Sequence, residues 1–479
     1  MAESSPTETL AKWVSALTYD EIPESIITRT KYLILDGLAC AFVGSHLPWS
    51  EKAATALLSL EHPFAGDATI FGWEGRKATA LTAALVNSTF IQGFELDDWH
   101  SRAPLHSNSI LLPALFAAAQ HVTGKESDTR IDGRNLILAT VAGYEVGPRV
   151  GLALYGSHVL SKGWHSGAVF GPAASAASVS KLLGLDAGKV EDAFGIACTQ
   201  ACGLMSAQFE SEVKRMQHGF AARNGLMAAM LARDGYIGIK KVFERDYGGF
   251  LTQFSAGNGK TPAYLPDELV KGLGQTWQTE NICIKAYAAM AGTHPTIDCV
   301  RQLQEEHPEK MKDIKAIKKV TITLGDAAFH HGGWKTTRPL TSTGAQMSNS
   351  FVAATQIVHG SVMPVQFTPE QLENEDTWRL TDLTECVLAT DSEWPFSRQN
   401  VRIEFEDSTE ISYAKDGARG IIPPLTNDEI VDKWRQLTKN VIDQETTDSI
   451  EKFILSLDTQ EDVSGLYELM GRLAKNPIA

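Results

Sequence analysis

The sequence has few cysteines, a shortage of positive charge and no long apolar run, and each shortage excludes a class of protein. Its 479 residues include only six scattered cysteines, so a disulfide framework is not expected. The 43 Lys and Arg face 58 Asp and Glu, giving a net charge of −15. Nucleic-acid binding is therefore disfavoured, because it needs a basic surface. No apolar run reaches the ~18 residues of a membrane-spanning helix, and the acidic N-terminus does not resemble a secretory signal. We expect a cytoplasmic protein, with a mitochondrial or other organellar location left open.

Several motifs that indicate a cofactor or a metal are also missing. There is no GxGxxG after a strand and no GxxxxGK(S/T) loop, so dinucleotide and P-loop sites lack support. HExxH and GxSxG are absent, which disfavours a zincin and the simplest serine hydrolases. Cys198 and Cys202 are the closest cysteine pair. We interpret them as small buried core residues rather than as ligands of a metal or iron–sulfur site.

Most of the chain follows helical patterns. They cover residues 1–275, where the stretches 168–185 and 218–236 are rich in Ala, Gly and Ser. Small residues of this kind predict helices that pack closely. Residues 416–479 return to a helical pattern after an intervening segment, and we expect this tail to pack on the first helical part.

The intervening segment, residues 276–415, has a different texture. Three stretches alternate like strands, and Asp407 and Ser408 suit a hairpin turn between the last two: 318–324, 401–405 and 410–414. We therefore predict a mainly α fold. A large helical domain would be formed by both chain ends, with a smaller α/β domain inserted between them.

The densest group of chemistry-bearing side chains lies between Glu95 and His106 and includes Asp97, Asp98 and His100. Asp97 and His100 would share one face if a helix continued there. Such a group supplies a general base and a general acid. Two alternatives stay open, a helix N-terminus with capping acids and surface histidines, and a carboxylate–histidine metal site, although the spacing matches no ligand motif.

Three further positions suggest anion binding. His165 lies between glycines ahead of an apolar helix, where it would face an anion at the helix N-terminus or pack at a domain seam. Lys214 and His218 are four residues apart and would share one helix face, either buried against a substrate carboxylate or in a solvated basic turn. Lys285 lies in an apolar stretch at the predicted seam. Acids, imidazoles and lysines together suit elimination or decarboxylation next to a carboxylate.

Several long strings resemble the MmgE/PrpD family, which includes 2-methylcitrate dehydratase, fungal alkylcitrate dehydratases and cis-aconitate decarboxylase. They are GFELDDWHSRAPLHSNSILLPALF, GWHSGAVFGPAASAAS, GIACTQACGLMSAQ, VKRMQHGFAARNG and YGGFL. The resemblance covers nearly the whole chain and is strongest over residues 90–250.

The resemblance implies a homodimer without a metal or organic cofactor, and a small-molecule tricarboxylate as substrate. It also implies that the inserted α/β domain is a lid and that the active site lies between the domains. The residues that match the family's catalytic positions are Asp97, His106, His165, Lys214 and Lys285. Candidate substrate-binding neighbours are His100, His218, Met290 and Gln346.

One departure from the family pattern concerns the residues after Lys285. Relatives often carry Cys or His at the positions of Ala289 and Met290, and in the decarboxylases that polar position lies by the reacting carbon. Met290 cannot donate a proton, which disfavours decarboxylation and leaves apolar room for an alkyl-bearing substrate.

The sequence alone therefore favours dehydration of a citrate or alkylcitrate to the corresponding aconitate. Lys214, Lys285 and His165 would hold carboxylates, Asp97 or a nearby histidine would take the proton, and His106 would protonate the departing hydroxyl. Decarboxylation of cis-aconitate to itaconate is the alternative within the family. Non-catalytic polycarboxylate binding and metal-dependent hydrolysis are alternatives of other classes.

Overall fold

The computed structural model of the protein describes residues 4–62, 66–125, 130–208, 211–390 and 398–479. The chain divides into two compact units. Unit 1 comprises Met1–Gly93, Asp97–Cys283 and Asn427–Asn476, and unit 2 comprises Phe94–Leu96, Ile284–Thr426 and Pro477–Ala479. The boundaries of these units lie a little after those predicted at 275 and 415. The prediction did not include the short segments 94–96 and 477–479 in the second unit.

Unit 1 is almost entirely helical. Its N-terminal helices are α1 (Pro6–Ala16), α2 (Glu24–Ser45), α3 (Pro48–Leu58), α4 (Ala80–Ile91), α5 (Ser107–Lys125), α6 (Gly133–Ala153), α7 (His158–Ser161), α8 (Ser166–Leu182), α9 (Ala187–Cys198), α10 (Gln217–Arg233) and α11 (Phe250–Ser255). Two short antiparallel strand pairs join it, β1 (Ala68–Thr69) with β2 (Lys77–Ala78) and β3 (Trp99–His100) with β4 (Ile282–Cys283).

Unit 2 combines helices with one sheet. Its helices are α12 (His294–Glu306), α13 (Pro308–Lys312), α14 (Asp326–Gly332), α15 (Ser342–Met347), α16 (Asn349–His359), α17 (Pro369–Leu372) and α18 (Glu375–Asp382). Its strands are β5 (Ile317–Leu324), β6 (Thr384–Leu388), β7 (Arg398–Phe405) and β8 (Glu410–Asp416). The chain returns to unit 1 with α19 (Asn427–Thr438), α20 (Gln444–Leu455) and α21 (Ser464–Met470).

The core of unit 1 is built on close helix packing. Helix α8 packs against α5, α6, α9 and α10, and the two stretches rich in small residues form most of α8 and α10. A Cβ atom on Gly225 of α10 would lie 2.3 Å from Cβ of Ser175 in α8, so this approach requires glycine. From the C-terminal segment, α19 and α20 pack on α2.

The sheet of unit 2 has the order β6-β5-β7-β8. Strand β6 is parallel to β5, whereas β7 and β8 pair antiparallel, with Val401 opposite Tyr413. The predicted strands and hairpin are therefore confirmed. Val320, Ile322, Val401 and Ile403 are buried in one hydrophobic core with residues of α12 and α16, as the alternating pattern requires.

These observations confirm the mainly α fold class. One detail of the prediction was wrong: Cys198 is buried but Cys202 is exposed, because α9 ends at Cys198 and the buried face does not continue. None of the helices in the part of the chain that the structure describes is long and apolar enough to cross a membrane.

Candidate active site

The loop that carries Asp97 is fixed by its neighbour Asp98. The two carboxylate oxygens of Asp98 accept the backbone N–H groups of Ser107 (3.0 Å) and Asn108 (2.9 Å) at the start of α5. This is side-chain capping of free helix N–H groups. Burial, and then the nearby charge of Asp97, raise the pKa of Asp98 well above its ordinary value. No helix continues through this segment, so the condition under which Asp97 and His100 would share a helical face is not met.

Because Asp98 holds the start of α5, Asp97 meets His106 directly before that helix. Asp97 Oδ2 lies 3.1 Å from His106 Nδ1. The Asp97 side chain is 1% exposed, and that of His106 is 22% exposed. A buried carboxylate facing an imidazole that still reaches solvent can orient the ring for proton transfer. The pair therefore has the parts of a general acid–base device.

Two more imidazoles extend this arrangement into what we call the imidazole cluster: Asp97, His106, His165 and His218. The ring of His218 packs against both of the other rings, with its centroid 5.1 Å from that of His106 and 5.0 Å from that of His165. His165 is the N-cap residue of α8, which is the helix N-terminus that one interpretation of the sequence expected. Anion binding by His165 stays a prediction.

His218 is held by two side chains that the sequence did not single out. Its Nδ1 lies 2.8 Å from Ser109 Oγ, and its Nε2 lies 3.3 Å from Gln92 Nε2. Ser109 also donates its hydroxyl to the backbone carbonyl of His106 at 2.9 Å. The spacing of three residues between His106 and Ser109, at the start of α5, is a sequence signal that could have suggested the hydrogen bond between them.

Lys214 and His218 do not share a helix face, so that expectation was wrong. Lys214 belongs to a separate 3-10 turn, Glu212–Arg215, and α10 begins only at Gln217. Lys214 is nevertheless buried, which disfavours the alternative of a solvated basic turn. Its role in holding a carboxylate stays a prediction.

His100 organises the loop. Its Nδ1 accepts the backbone N–H groups of Arg102 (3.3 Å) and Ala103 (3.0 Å), and its Nε2 lies 3.2 Å from Gln278 Oε1. Burial lowers the pKa of His100 to about 4, so the ring is neutral near pH 7. Both ring nitrogens are used within the protein, and a role for His100 in substrate binding stays a prediction.

Unit 2 brings its own predicted residues together. Lys285 is 2% exposed, and its Nζ lies 3.0 Å from Oε2 of Glu95. The side-chain amide of Gln346 donates to the backbone carbonyls of Phe94 (2.9 Å) and Ala288 (3.0 Å). The backbone carbonyl of Gln346 accepts the N–H of Met290 at 3.0 Å. The Lys285 ammonium thus already faces a carboxylate within its unit. A direct role of Lys285, Met290 or Gln346 toward substrate stays a prediction.

A buried ion pair in unit 1 was not predicted. Lys433 of α19 places its Nζ 2.5 Å from Oδ1 of Asp36 in α2, with side chains 5% and 0% exposed. Burial on its own would lower the pKa of Lys433, but the carboxylate of Asp36, with a contribution from Asp97, raises it instead. Burial raises the pKa of Asp36, and the ammonium of Lys433 opposes that rise. The charge of Asp97 acts on both partners of the pair.

Elsewhere, unit 1 has a cavity of about 600 Å³ that contains none of the predicted residues. Its lining is largely apolar and includes Leu226, Met227 and Met230, which does not suit a polycarboxylate. Over the described ranges, with their gaps, no group of three or more His, Cys, Asp or Glu is arranged to hold a metal ion.

Comparison with known families decides the relationship that the sequence strings suggested. A family model described as the MmgE/PrpD N-terminal domain matches residues 8–263, and one described as the MmgE/PrpD C-terminal domain matches residues 287–459. The chain belongs to the MmgE/PrpD family.

Relatives of this MmgE/PrpD chain match it from end to end. A cis-aconitate decarboxylase-like protein of Aspergillus oryzae is 47% identical over 98% of this chain and 98% of its own length. A cis-aconitate decarboxylase of Aspergillus terreus is 44% identical over 100% of this chain and 98% of its own. The human cis-aconitate decarboxylase is 24% identical over 98% and 95%, respectively.

Proposed function

We propose that the protein is a lyase that decarboxylates cis-aconitate to itaconate. The observation that carries this proposal is the 44% identity, over the whole chain, with a cis-aconitate decarboxylase of Aspergillus terreus. The sequence alone favours dehydration because of Met290, and the comparisons favour decarboxylation. The proposal follows the comparisons, since they concern the whole chain and Met290 is a single position.

The chemistry requires a cation near the substrate and one proton. The bond between the methylene carbon and its carboxyl group breaks and releases CO₂. Its electron pair forms the new terminal double bond, and the electron pair of the original double bond moves onto the CH carbon that bears the other terminal carboxylate. That carbon then takes a proton, which gives itaconate. Fixed positive groups lower the barrier by stabilising the developing negative charge.

Residues of the imidazole cluster, together with Lys214, are the candidates for these steps. His106 would deliver the proton, because it is partly exposed and faces the buried carboxylate of Asp97 at 3.1 Å. His165 and the buried Lys214 would hold substrate carboxylates and fix the reacting bond, which lowers the entropic part of the barrier. All three belong to unit 1. We keep Lys285 as a candidate whose charge is balanced by Glu95.

A product assay tests the proposal. Purified protein is incubated separately with cis-aconitate, citrate and 2-methylcitrate, and products are identified by mass spectrometry. We expect the wild type to form itaconate and CO₂ from cis-aconitate. The variants Asp97→Asn and His106→Gln should not form these products. Formation of an aconitate from a citrate, with no itaconate, would reject the decarboxylase proposal.

Dehydration of an alkylcitrate is the second candidate function. The specific observation in its favour is Met290, whose backbone N–H is bonded to the carbonyl of Gln346 and whose side chain brings no acid to that position. If dehydration is the reaction, Met290→Ala should change the preference among citrates of different alkyl length. The homodimer implied by the family resemblance is also a proposal, and light scattering in solution tests it.

A further inference from the structure

The position of His218 suggests a role other than substrate binding. Its side chain is buried, and its ring packs against both of the histidines that we propose to work on substrate. What decides its role is which ring nitrogen carries a proton, because that determines whether it can transfer one.

The hydrogen-bond geometry favours a proton on Nδ1. The Ser109 hydroxyl donates to the carbonyl of His106 at 2.9 Å, so its oxygen is left to accept. With that donation made, the neighbouring His218 Nδ1, 2.8 Å away, is the group placed to donate to Ser109. On the other side of the ring, the amide nitrogen of Gln92 faces Nε2 at 3.3 Å. An amide nitrogen only donates, so this arrangement makes Nε2 an acceptor, which favours the neutral ring.

The space around the ring is fixed as well. Gly167 lies in the first turn of α8, two residues after His165. A Cβ at Gly167 would lie only 2.1 Å from His218 Nε2 and 2.4 Å from Cδ2. The ring is therefore clamped between α8 on one side and Ser109 of α5 on another.

We propose that His218 is a positioning residue: a neutral, Nδ1-protonated imidazole that holds His106 and His165 at their working separation without exchanging a proton itself. The activity measurements below rest on the proposed function. The protonation state of His218 can be tested without it. Gly167 would be the position that makes room for it.

The first experiment measures the protonation state directly. In protein labelled with ¹⁵N-histidine, the His218 ring signals are assigned by their loss in His218→Asn. We expect the pattern of a neutral Nδ1–H tautomer that does not change between pH 6 and 8. A ring that titrates in this range, or that carries its proton on Nε2, would overturn the proposal. This measurement requires no turnover, so it decides the question even if the assigned reaction is wrong.

The second experiment uses Gly167→Ala with a matched control. Gly465 is the second residue of α21, as Gly167 is of α8, and a Cβ there meets only Phe453 at 3.7 Å. On whichever substrate the wild type converts, Gly167→Ala should lose about 10²-fold in kcat, the scale of a 1 Å misplacement. Gly465→Ala should keep wild-type kcat. Equal kcat in the two variants would contradict the clamp.

The third experiment separates positioning from proton transfer. Asn at 218 keeps a donor for Ser109, whereas Phe keeps only the ring, so His218→Asn should retain more activity than His218→Phe. Both should keep the two limbs of the pH profile of kcat/KM, since those report the essential acid and base. Loss of one limb would make His218 an acid or base itself and refute the positioning role. Equal loss in Asn and Phe would refute the hydrogen-bond argument.

Discussion

Replacing Lys433 by methionine should destabilise unit 1 strongly, although the residue lies in the C-terminal helix α19. The Lys433–Asp36 distance is 2.5 Å, and both side chains are buried. At an effective dielectric constant of about 20, two unit charges at this distance attract by roughly 7 kcal/mol. Most of that attraction offsets the cost of removing both charges from water.

The loss of one partner is therefore more costly than the loss of both. Lys433→Met leaves the Asp36 carboxylate buried without its counter-ion, for which a cost of about 3–5 kcal/mol is typical. At about 2 °C per kcal/mol for a large domain, Tm should fall by roughly 5–10 °C. The double variant Asp36→Leu/Lys433→Met removes both charges and should recover most of that loss.

An exposed ion pair on the same helix provides the control. Arg435 contacts Glu451 of α20 at 2.6 Å, but its side chain is 57% exposed, so Arg435→Met should cost no more than about 1 kcal/mol. Thermal unfolding followed by circular dichroism, at one scan rate for all variants, measures each change. If Lys433→Met is as stable as Arg435→Met, or if the double variant is as unstable as the single one, the reasoning from buried charge is wrong.

Three further outcomes are expected. Burial holds the pKa of His100 at about 4 in the folded state, against ~6.5 in the unfolded state. Between these values only the unfolded state binds the proton, so the free energy of unfolding should be about 2 kcal/mol lower at pH 5 than above pH 6.5. His100→Asn, which keeps an acceptor for Ala103, should show a weaker loss of stability between pH 7 and 5, and an identical loss would refute this. Asp98→Ala and Asp443→Ala each remove a helix cap, and each should lower the free energy of unfolding by about 1–2 kcal/mol. Only Asp98→Ala should also lower kcat. If the two variants have equal kcat, the cap does not position Asp97. Lys214→Ala should lose most activity with an unchanged circular dichroism spectrum, and wild-type turnover would remove Lys214 from the carboxylate-binding set.

Local patterns predicted the fold class well because they depend on neighbouring residues. The alternation in 318–324 and 401–405 became β5 and β7, and the small residues of 168–185 became the closely packed α8. Helix ends were less predictable. The spacing of Lys214 and His218 suits one helix, but Met216 is the cap residue between a 3-10 turn and α10, and nothing in the spacing reveals that break.

The candidate site shows more clearly what a sequence leaves undecided. Between Glu95 and His100, four ionisable side chains look like one catalytic group, yet each has a different partner. Glu95 binds Lys285, 190 residues away; Asp98 caps α5, nine residues on; His100 meets Gln278, 178 residues away. Only Asp97 faces the predicted acid–base partner, His106. The residue types predict that a charged site is present, but long-range contacts assign the roles. The acid–base role that we propose for Asp97 therefore depends on contacts that the order of residues in the sequence does not reveal.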